Sequence, residues 1–114
     1  MTDNNWKQSF DLEIQMAENA RTASNEGMAR VCARRAAGIA VGRYLQIHNH
    51  PEIGPSAVNR IQYLISLPYI DQDAKTIAAH LLVRVGTDHN LPIDVDLISE
   101  AKELAEILFE PERN

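Results

Sequence analysis

The sequence predicts an all-α fold, a compact up-and-down bundle of about five helices. Apolar residues return every three or four positions in five separate segments, the spacing that draws one stripe along a helix. No segment alternates apolar and polar residues as a half-buried strand would, and the periodic segments are separated by Gly, Pro, Asn, Asp and Ser, which end helices and cap new ones.

The first helix carries Trp6, Phe10, Ile14, Ala17 and Ala20 on one stripe. The polar segment "SNEGMAR" interrupts that stripe, and Ser24 or Asn25 can cap a second helix by accepting from its unsatisfied backbone amides. This second helix is expected from Glu26 to about Gln46, with Ala29, Ala33, Ala36, Ala40, Tyr44 and Ile47 on its stripe. Its Ala36, Ala37, Gly38, Ala40 and Gly42 leave room for close approach of another helix, in this chain or in a partner, although each glycine costs about 1 kcal/mol of helix stability relative to alanine. The run "NHPEIGPS" then stops it.

Ser56 caps a short third helix bearing Val58, Ile61, Leu64 and Ile65, which Pro68 closes. Asp71 or Asp73 caps a fourth, with Ala74, Ile77, Ala78, Leu81 and Val85 on its buried side and Gly86 as its end. After "GTDHNLPID", Asp94 offers a cap and Asp96 an early negative charge for a fifth helix bearing Leu97, Ala101, Leu104, Ala105 and Leu108. Residues 1–114 read as a single domain, without internal repeat or long linker.

Composition narrows the function classes. The hydrophobic content of 45% is ordinary for a packed core. No apolar run approaches the roughly 20 residues of a membrane span, and "MTDNNWKQSF" lacks the basic-then-apolar plan of a secretory signal, so no membrane association and a cytoplasmic location are expected. Cys32 is the single cysteine and falls in an alanine-rich helical pattern, which suits a small buried apolar group. There is no glycine-rich phosphate loop and no zinc-ligand spacing, so neither cofactor nor metal is expected.

The net charge of −5 is unevenly spread: residues 1–60 hold seven bases against six acids, +1, and residues 61–114 hold four against ten, −6. Within the first half Arg30, Arg34 and Arg35 form a compact basic run, with Arg30 and Arg34 one turn apart. They are candidates for phosphate or RNA contact, the ordinary alternative being ion pairs to Glu26, Glu18 or the acidic fifth helix. With 5% aromatic residues, few side chains could stack on single-stranded bases. His80 reads as a hydrogen-bonded packing histidine, and the two histidines of "HNH", His48 and His50, lie in a proline-bounded loop with no third metal ligand at a recognisable spacing.

The helix order, with "GMARVCARRAAGIAVGRYL" as an alanine-rich second helix followed by "SAVNRIQYLISL", "DAKTIAAHLLVRV" and "DLISEAKELAEILF", resembles a HEPN domain over most of the chain. That family's functional signature is an arginine followed after four to six residues by a histidine. The spacing occurs at "RYLQIH", Arg43 to His48, and at "RVGTDH", Arg84 to His89. The second copy lies near the helix before the last, where family motifs usually fall.

The resemblance implies metal-independent RNA cleavage at a composite site across a homodimer interface. Arg84 would hold phosphate and His89 would move a proton, roles that suit a permanent cation and a group titrating near neutrality. It equally implies a non-catalytic role, since many relatives are binding or dimerisation modules, including partners of nucleotidyltransferases. Two features depart from the family pattern: Val85 stands where a polar residue commonly follows the arginine, and Gly86 makes the intervening backbone loop-like. A dimeric binding or interaction module is the leading expectation, and an endoribonuclease centred on Arg84 and His89 is the alternative. The ordinary account of the same pair is a helix-end arginine offsetting the helix dipole and a loop histidine.

Overall fold

The computed structural model describes residues 5–84, 86 and 90–110. His89 and Val85 lie outside the described residues. Five α-helices follow in order: α1 (Asn5–Thr22), α2 (Glu26–Ile47), α3 (Ala57–Ser66), α4 (Gln72–Leu81) and α5 (Leu97–Phe109). No strand occurs among the described residues, and none of the helices is long and apolar enough to cross a membrane.

Capping chemistry sets the helix starts. Asn25 Oδ1 accepts from the Met28 amide at 3.1 Å, Ser56 Oγ from Asn59 at 3.1 Å, and Asp71 Oδ1 from Asp73 at 2.7 Å. The fifth helix differs from expectation: its cap is Asp96, which accepts from the Ile98 amide at 3.1 Å, and Asp94 lies two residues outside. Asp96 is preferred because it also receives Arg21 Nη1 at 3.0 Å, a tertiary contact invisible in the local sequence. The α1–α2 and α2–α3 turns each pass through a left-handed residue, Ser24 and Asn49, both at φ 63°. In the second, the His50 amide donates back to the Leu45 carbonyl at 2.9 Å and seals the end of α2.

The central element is α2, which packs against α1, α3 and α5, while α4 closes the bundle against α3 and α5. Its small residues serve this packing. Ala29, Ala33, Ala36, Ala37 and Ala40 are fully buried within one chain, so their face is an intrachain contact. A Cβ on Gly38 would stand 2.6 Å from the Ala57 Cβ, and one on Gly42 would stand 2.6 Å from Arg60 Nη1. Gly38 is thus what lets α3 begin against α2. Arg60 fixes the intervening loop by donating to the Gly54 carbonyl at 2.7 Å and the Gly38 carbonyl at 3.2 Å.

Cys32 is fully buried in this core, and burial pushes its thiol up from the ordinary range, as expected of a structural cysteine. His80 ties α4 to α5 through a hydrogen bond from its ring to Glu100.

The fourth helix ends earlier than its apolar pattern suggests. It stops at Leu81, with Leu82 as C-cap, so Arg84 lies beyond it. The physical reason is a side chain from α2. Arg34 donates Nε to the Leu81 carbonyl at 2.7 Å and Nη2 to the Val83 carbonyl at 2.6 Å, satisfying acceptors that another helical turn would have used. Beyond α4 the Gly86 amide donates to the Asn90 carbonyl at 3.0 Å.

Candidate functional site

Arg34, reaching across from α2, places a positive charge directly on the C-terminal carbonyls of α4. Arg34 is part-buried, and its guanidinium orientation is fixed by the two carbonyls. Arg30 lies one turn earlier on α2, and Arg84 approaches from the segment after α4. The three cations line one cleft of about 330 Å³, with Gln62 of α3 also on its wall and Val31, Val58 and Leu82 as apolar surface.

The electrostatics of the cleft are one-sided. Burial, then the positive charges of Arg30 and Arg84, lower the pKa of Arg34. No carboxylate among the described residues lines the cleft. Arg30 acts on the Glu26 carboxylate through space, but both oxygens of Glu26 are already engaged by Arg21, at 3.0 and 2.6 Å. Glu18 is likewise taken by Lys102 at 3.1 Å. Arg30 and Arg84 form no ion pair among the described residues. Arginines gathered this way repel one another, and an anion between them would relieve the repulsion while accepting planar, directional hydrogen bonds.

The three sequence candidates for phosphate contact therefore divide. Arg30 and Arg34 enter the cleft, joined by Arg84, while Arg35 is exposed outside it and acts on Cys32, in the neighbourhood of Glu13 of α1. Ion pairing to Glu26, Glu18 or α5, the ordinary alternative, does not describe Arg34, whose partners are backbone carbonyls. The Arg43 and His48 pair is not brought together: Arg43 donates to Gln46 at 2.9 Å, and the His48 ring packs on Tyr44 with centroids 4.2 Å apart. Since α2 runs through Ile47, five positions leave the two side chains about 140° apart around the axis.

One constellation has no counterpart in the sequence reading. His50 Nδ1 pairs with the Tyr63 hydroxyl at 3.2 Å and Nε2 with the Tyr69 hydroxyl. With both ring nitrogens engaged, His50 fastens the end of α2 to α3 and to the α3–α4 turn. His48 and His50 thus face different partners, and no group of three His, Cys, Asp or Glu side chains suited to a metal ion occurs among the described residues. A larger groove, about 650 Å³, lies between α1 and α5 over Trp6, Phe10, Ile14 and Phe109, with cations and carboxylates mixed along its rim. It lacks the convergence of like charge seen at the arginine cleft.

Comparison with family models, with curated proteins and with solved structures finds no match for this chain.

Proposed function

We propose that the chain is a HEPN-like binding module whose ligand is anionic and phosphate-bearing, held in the cleft of Arg30, Arg34 and Arg84. The observation that carries this reading is three mutually repelling arginines lining one cleft, with no carboxylate among the described residues on its wall. Ligand binding to the native state raises stability according to ligand concentration and affinity, so melting temperature reports it directly. The expected outcome is a rise in melting temperature with added inorganic phosphate, relative to chloride at equal ionic strength, that disappears in an Arg30→Gln/Arg84→Gln double variant. Equal shifts in both proteins contradict the reading.

The module acts as a homodimer in this proposal. Burial of the small-residue face of α2 removes that face as the dimer contact. Support comes instead from apolar side chains left on the outside of the α1–α2 hairpin: Leu12 and Met16, 61% and 40% exposed, and Met28, 44% exposed. Light scattering at micromolar concentration should give twice the chain mass of 12.8 kDa. A monomer there ends the dimer proposal without touching the cleft.

A second reading, endoribonuclease, is favoured by one observation, that Arg84 shares the cleft with two further phosphate-binding candidates. Its proton-transfer residue would be His89. Cleavage of a mixed single-stranded RNA pool by the wild type, lost in His89→Ala, is its required result. No cleavage, or equal cleavage by both proteins, excludes it.

A further inference from the structure

We propose that the arginine cleft takes the terminal phosphate of a small molecule with a short apolar body, rather than the backbone of an RNA strand. This rests on the binding-module reading and narrows its ligand. Size is the first reason, because about 330 Å³ is at the lower end of small-ligand pockets and too local to track several nucleotides.

The composition of the walls is the second. Val31, Val58 and Leu82 line the cleft beside the three arginines, and no aromatic ring among the described residues does, so the described walls offer apolar contact but no platform for a stacked base. The surrounding charge is the third. A strand leaving the cleft would need further cations, yet Arg21 is committed to Glu26 and Asp96, Arg60 to backbone carbonyls, and Arg35 sits outside the cleft. A terminal phosphate also carries more charge than an internal diester, which matches three converging cations better than one passing diester.

Calorimetric titration with n-butyl phosphate, with inorganic phosphate and with a short RNA oligonucleotide bearing hydroxyl ends tests this. The expected result is saturable binding of butyl phosphate, tighter than inorganic phosphate by about fivefold through apolar contact. Arg30→Gln and Arg84→Gln should each weaken it by roughly tenfold, and Arg35→Gln should leave it unchanged. Arg34 is avoided as a variant because it also holds the end of α4. Butyl and inorganic phosphate binding equally, or Arg35→Gln weakening binding as much as the cleft variants, overturns the inference. RNA binding more tightly than butyl phosphate through Arg30 and Arg84 overturns it too, while leaving the binding-module reading in place. No saturable binding of any of the three overturns both.

Discussion

Arg34 on α2 and Leu81 at the end of α4, 47 positions apart, are joined by a 2.7 Å hydrogen bond from guanidinium Nε to the backbone carbonyl. A second bond to the Val83 carbonyl makes the guanidinium a fork that terminates one helix from another. The contact simultaneously fixes a cation at the back of the cleft. The structural role and the proposed binding role therefore fall on one side chain.

Removing that fork should be felt in stability. Hydrogen bonds to a charged group contribute about 1.5–3 kcal/mol, and Arg34→Met keeps much of the aliphatic stem while losing them. Urea unfolding should place Arg34→Met about 2 kcal/mol below wild type, with Arg34→Lys recovering only part, because an ammonium lacks the planar fork. Full recovery by lysine would show that charge alone matters there.

The approach of α3 to α2 is open to a steric test. Alanine at Gly38 introduces a Cβ 2.6 Å from the Ala57 Cβ, and overpacking of this kind costs about 1–3 kcal/mol. Gly27 is the control, since its Cβ would meet nothing closer than Asn25 Oδ1 at 3.9 Å, and alanine there should stabilise by up to about 1 kcal/mol. Similar denaturation midpoints for the two variants would contradict the packing described here.

A pH dependence follows from the ion pairs around Arg21. Hydrogen bonding and charge from Arg21 hold the Glu26 carboxyl below the ordinary glutamate range against the effect of burial. Burial pushes Asp96 up, but Arg21 and the Ser99 and Ile98 backbone outweigh it, so Asp96 is lowered as well. Carboxyls depressed on folding stabilise the native state above their unfolded pKa values, and the contribution is lost as pH falls through the folded ones. Stability should decline below about pH 4 in the wild type and decline less steeply in Arg21→Ala. The effect is modest because all three groups are partly exposed and screened.

Local chemistry made much of the fold readable. The helical stripes and the caps Asn25, Ser56 and Asp71 depend on residues within a few positions of one another, and these appear where the sequence places them. Long-range contacts set the departures. Asp96 displaces Asp94 as a cap because Arg21 reaches it across 75 positions, and α4 ends before Gly86 because Arg34 takes its carbonyls. The candidate site was legible only in part for the same reason. Arg30 and Arg34 are a turn apart on one helix, but the arrival of Arg84 depends on where α4 stops. The bridge from Tyr63 through His50 to Tyr69 had no signal beyond residue types common in any chain.

An anion held by Arg30, Arg34 and Arg84 should be visible in the arginine Nε–H resonances during a nitrogen-15 NMR titration with inorganic phosphate. Saturable shifts are expected at these three arginines and none at Arg35, with loss of the Arg34 shift in the Arg30→Gln/Arg84→Gln variant. Shifts of equal size at Arg35, or no saturable shift at the three cleft arginines, would contradict it.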